Sequence, residues 1–134
     1  MTTPFKLGNV VLCEHIVEGL RNKHTLINTY SGDILVEEFP AIIPVSFYIE
    51  VRPTGAFKGE IMIKLLLGRK EAMRGGAAVD FQSNVPAVVA IPTGLLQIQK
   101  ATTMKLLIGI EGDHFAKGFE KTISLNEATP QPTV

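Results

Sequence analysis

The chain of 134 residues carries 13 basic and 13 acidic side chains, three histidines, one cysteine and no tryptophan. That length is one domain, since domains hold roughly 100–200 residues, and it can bury a core without disulfides or metal. A formal net charge of zero argues against a protein built to neutralise nucleic-acid phosphates or an anionic membrane surface.

Other classes are excluded on local grounds. The lone Cys13 closes no intrachain disulfide, so nothing marks an oxidising compartment. Met1-Thr2-Thr3-Pro4-Phe5-Lys6 lacks the basic start and apolar stretch of a secretory leader. The apolar runs are a handful of residues, such as Ala87–Ile91, against the roughly 20 that a membrane helix needs. The expectation is a cytoplasmic protein with no membrane span and no nucleic-acid partner.

Val, Ile and Thr fill 35 of the 134 positions, and residues branched at Cβ favour the pleated surface of a strand. Strands are therefore expected along most of the chain. The first runs from Asn9 to Val17, the second from Lys23 to Tyr30, and the third, Ile34–Phe39, stops at Pro40. Ile42–Arg52 shows the cleanest alternation, with Val45, Phe47, Ile49 and Val51 on one face and Ser46, Tyr48 and Glu50 on the other. Pro53-Thr54-Gly55 ends it. Lys58–Arg69 follows, then Gly68–Gly76, read as a loop or β-excursion rather than a helix. Ala77–Gln82, Val85–Ile91, Leu95–Gln99, Thr102–Glu111 and Phe115–Leu125 complete the series, and the tail 126–134 reads as disordered.

Short strands at this spacing predict an all-β fold: two antiparallel sheets packed as a sandwich of C2 or immunoglobulin-like form, with eight or nine strands over residues 1–125. A closed barrel is the alternative. The expected core is Val45, Phe47, Ile49, Val51, Ile61, Ile63, Leu65, Leu67, Leu106, Ile108, Ile110 and Ile123. Pro40, Pro44, Pro86 and Pro92 are placed at strand boundaries, where a missing N–H does least harm.

Each candidate for chemistry has a plainer reading. On a strand Cys13 and His15 would point the same way, roughly 6.5–7 Å apart, too far for a direct thiol–imidazole bond. Glu14 between them does nothing to lower a thiol pKa, so Cys13 reads as a buried apolar residue. His15, His24 and His114 lack ligand spacing for zinc. Three aspartates, Asp33, Asp80 and Asp113, even helped by Glu37, Glu38 and Glu111, fall short of the oxygen-rich loops that calcium demands. Asp113-His114 reads as a turn aspartate and a surface histidine. No catalytic residue, metal site or cofactor is expected.

The strand Asn9–Glu14 closing on Cys-Glu, the hairpin strand Lys23-His24-Thr25-Leu26-Ile27 and Phe39-Pro40 before an alternating strand together resemble a family of small bacterial β-sandwich proteins. That family is defined only as a domain of unknown function. The resemblance covers roughly Gly8 to Leu125 and implies a fold and a bacterial or phage source. It carries no catalytic residues to transfer.

The function expected is a non-catalytic module that binds protein, a second copy of itself included. A lipid- or carbohydrate-binding sandwich is the alternative, and an enzyme a distant third. The reason is that two strands read as apolar on both faces. With Ile61, Ile63, Leu65 and Leu67 inward, Met62 and Leu66 point out, and Leu107 does the same from its strand. With Tyr48 they would form an exposed patch suited to a homodimer, unless the 68–76 excursion or the tail covers it.

Overall fold

The computed structural model describes residues 4–21, 23–110 and 112–126. Nine strands occur there: β1 (Phe5–Glu18), β2 (His24–Thr29), β3 (Ile34–Val36), β4 (Ala41–Pro53), β5 (Phe57–Leu67), β6 (Lys70–Phe81), β7 (Ala87–Ile98), β8 (Thr102–Gly109) and β9 (Ala116–Leu125). They make a sandwich of a four-stranded sheet, ordered β2-β1-β4-β7, and a five-stranded sheet, ordered β3-β9-β8-β5-β6. The second sheet curls as a half-barrel. All pairings are antiparallel except β3 with β9, where Ile34 to Val36 run parallel beside Ile123 to Leu125.

Alternation places the core as expected. Val45, Phe47, Ile49 and Val51 of β4 face Ile61, Ile63 and Leu65 of β5 and Leu106 and Ile108 of β8, all buried. Each such side chain contributes on the order of 1.5–3 kcal/mol through removal from water. Leu67 and Ile110 sit at the margin, half-buried against the same cluster. Leu12, Ile34, Val36, Phe81, Val89, Ile91, Leu96, Ile98 and Met104 join the core as well.

One local expectation is met in its β form and two are corrected. Most of the 68–76 stretch is strand: β6 starts at Lys70 and pairs with β5 along its length. Gly68 and Arg69 make the two-residue turn, with Gly68 at φ 64°, as a primed hairpin turn requires. Val85–Ile91 and Leu95–Gln99 are one strand, β7, crossing a bulge opposite Val45 and Ser46. Pro44 and Pro92 lie within strands, not at their ends. Pro92 is tolerated on the edge strand beside that bulge. At Pro44 the neighbouring strand has already left, and the Tyr30 hydroxyl donates to the Pro44 carbonyl at 2.8 Å. Asn126, counted as tail, donates its N–H to the Val36 carbonyl at 2.7 Å; residues 127–134 lie outside the described residues, as does Glu111.

One feature shapes the outer surface. Cys13 pairs with Ser46 of β4, and Glu18, five residues on, pairs with His24. A straight β1 would carry Glu18 roughly 16 Å past Ser46, toward Ala41, at about 3.3 Å per residue. Instead the His24 ring stands edge-on to Tyr48, centroids 5.6 Å apart. The outer half of the β1–β2 hairpin therefore doubles back over the four-stranded sheet as a flap. The bend falls at Glu14 and Asn28, where Asn28 adopts φ 53° and its side-chain amide donates to Glu14. Asparagine is among the few non-glycine residues that tolerate this region. Ser46 Oγ donates to the Glu14 carbonyl at 3.2 Å and pins the base of the flap.

Candidate interaction surfaces

The four residues expected to share a patch lie on two opposite faces. Met62 and Leu66 of β5 and Leu107 of β8 are on the outer face of the five-stranded sheet. Tyr48 is on the outer face of the other sheet, against His24 of the flap. All four are half-buried. The 68–76 stretch runs beside β5 as its ladder partner rather than over this face, and tail residues 127–134 lie outside the described residues. Phe115, just before β9, lies across the face with the Lys64 ammonium 4.2 Å from its ring centroid. Gly109 permits this approach, because a Cβ there would stand 2.9 Å from Phe115 Cγ. Gly76 does the same for Met62, whose sulfur would be 3.0 Å from a Cβ at that position.

The most exposed paired apolar residues are elsewhere. Ile43 and Leu96 pair and are both buried, so Ile42 and Leu95 point outward from β4 and β7. They are 64% and 70% exposed. Leu95 stands directly opposite Pro44, which makes Ile42 its diagonal neighbour on the same face. A shallow depression lined by Pro44, Pro92, Gly94, Leu95 and His15 continues this apolar corner to the base of the flap.

Under the tip of the flap a larger open groove, about 670 Å³, runs along the same sheet. Its polar lining is Lys6 from β1, Glu50 and Arg52 from β4, and His24 from the flap. Its apolar wall is supplied by Pro86 and Val88, both exposed. Lys6 and Arg52 are direct cross-strand partners, both exposed. The Glu50 carboxylate lies toward Gly8, where a Cβ would come within 3.6 Å of Oε2. His24 Nδ1 is buried without a hydrogen-bond partner, and such an atom carries a desolvation cost.

The remaining candidates fall apart in space. Cys13 is fully buried, its thiol 3.4 Å from the His15 carbonyl, and burial pushes its pKa above the ordinary value. A thiol so placed is a poor nucleophile. His15 is exposed. Asp113 accepts from the His114 N–H at 2.7 Å, a turn contact, and Asp33 accepts from the Thr122 N–H at 3.1 Å, which ties β3 to β9. Among the described residues no three His, Cys, Asp or Glu side chains gather as a metal-binding group. No helix there is long and apolar enough to cross a membrane.

Ile42 and Leu95 were absent from the expected patch, although both stand in the sequence as apolar residues within three positions of a proline. Lys6, Glu50, Arg52 and His24 come together only through the bent hairpin and the β1–β4 register. No protein-family model matches the chain, and no curated protein matches it.

Proposed function

We propose that this protein is a non-catalytic interaction module whose partner is a second copy of the chain, joined through the corner around Ile42 and Leu95. The observation that supports this reading is the adjacency of two large apolar side chains, 64% and 70% exposed, on one outer face. Single exposed apolar residues are ordinary, but contiguous ones continued by two prolines make a surface that water disfavours. A two-fold pairing would set each corner against its own copy, the commonest way for soluble chains to assemble. The resemblance to small bacterial β-sandwich proteins fits a module of this size, and a bacterial or phage origin and a cytoplasmic setting belong to the same proposal.

Light scattering after size exclusion tests it. At tens of micromolar the protein should elute as a dimer, and Ile42→Lys with Leu95→Glu should return a folded monomer. A strict monomer that the double change leaves unaltered would overturn the reading.

A further inference from the structure

We propose that the groove under the flap is a binding site for a small amphipathic anion, one carboxylate- or sulfonate-class group on an apolar body. Lys6 and Arg52 stand directly opposite each other on adjoining strands and both line the groove. Like charges in that relationship destabilise a sheet, and among the described residues neither forms an ion pair. An anionic group between them converts the repulsion into two attractions, with the arginine able to offer a bidentate pair of N–H donors.

The rest of the groove sets the ligand class. Glu50 is drawn toward Gly8, leaving the polar lining with two cations against one carboxylate, so the site prefers anions but not highly charged ones. Pro86 and Val88 supply an apolar wall beside the charges, and Val88 is 40% exposed. A ligand with an apolar body covers that wall, whereas inorganic phosphate does not. The flap residue His24 closes the far side of the groove.

The test uses 8-anilinonaphthalene-1-sulfonate and 1-naphthoate as probes, with uncharged 1-naphthalenemethanol as control, followed by fluorescence and calorimetry. Both anions should bind saturably at one site, and the neutral control should bind at least about tenfold more weakly, the order of one charge-assisted contact. Lys6→Gln with Arg52→Gln should abolish anion binding. Because the two cations repel, the same double variant should unfold at an equal or slightly higher temperature, a result that separates lost binding from lost structure. The Ile42→Lys plus Leu95→Glu variant should keep full probe affinity, so this site and the self-association surface succeed or fail independently. Chemical-shift changes on probe addition should centre on His24 and Val88. Equal affinity in the Lys6/Arg52 variant, absence of saturable binding, or preference for the neutral control would each overturn the proposal.

Discussion

The Tyr30 hydroxyl donates to the Pro44 carbonyl at 2.8 Å, and this bond replaces the strand pairing that β1 abandons when it bends away. Tyr30→Phe leaves a part-buried carbonyl unpaired, so it should cost about 1–2 kcal/mol of unfolding free energy in urea melts. Burial pushes the Tyr30 phenol up to about 12, with the Glu14 carboxylate and then Cys13 adding to the rise. A raised folded-state value means the native protein holds the proton more tightly. The resulting stabilisation is whole below the ordinary value of 10.0 and is lost as pH climbs from there toward about 12. Absorbance titration of phenolate should show one tyrosine ionising near the upper value, and Tyr30→Phe should remove that step.

The bend at Asn28 permits a paired comparison. Asn28→Ala loses the amide contact to Glu14 and forces an alanine into positive φ, so about 1–2 kcal/mol of destabilisation is expected. Asn28→Gly loses the same contact but accepts the backbone, and should cost less. If the two variants melt alike, the flap is not held by this backbone conformation.

Two glycines of the five-stranded sheet should respond differently to alanine. At Gly109 a Cβ meets the His114 carbonyl and Phe115 Cα at 3.0 Å, which are backbone neighbours that cannot step aside. Gly109→Ala should cost about 1–3 kcal/mol and loosen the Phe115 cover over Lys64, visible as shifted Lys64 resonances. At Gly118 the tight neighbour is the tip of Ile108, 2.8 Å away. That methyl can rotate, so Gly118→Ala should be the milder change.

Phe47 is fully buried in β4 and stacks on Phe119 of β9 at 6.3 Å, linking the two sheets. Phe47→Ala should destabilise by about 3–5 kcal/mol, measured by thermal or urea unfolding. Leu107→Ala, on the half-buried outer face, should cost markedly less.

Period-2 alternation made β4, β5 and β8 legible, because a strand with one wet face writes its burial directly into its spacing. Where the signal is local, it also misled. Pro92-Thr93-Gly94 reads as a stop, yet β7 passes through it as a bulge because β4 supplies pairing on both sides. Gly75 and Gly76 weaken any strand pattern, but in β6 they are held by the β5 ladder, and Gly76 leaves room for Met62. The flap was out of reach of spacing altogether. Its position depends on Cys13 meeting Ser46 and His24 meeting Tyr48, contacts between residues far apart in the chain. The charged groove inherits that limit, since Lys6 and Arg52 become neighbours only once β1 lies on β4.

β3 is three residues long and, among the described residues, its sheet neighbour is β9, with Asp33 and Thr122 meeting across 89 positions of chain. Closing a loop of that length is entropically costly before any contact repays it. β3 is therefore expected to dock after the β8–β9 hairpin forms rather than to nucleate folding. Pairings this distant in sequence are expected to put the protein among the slower, high contact-order domains that fold in milliseconds to seconds. Until β9 arrives, the apolar Ile34 and Val36 are left in water with no strand to receive them.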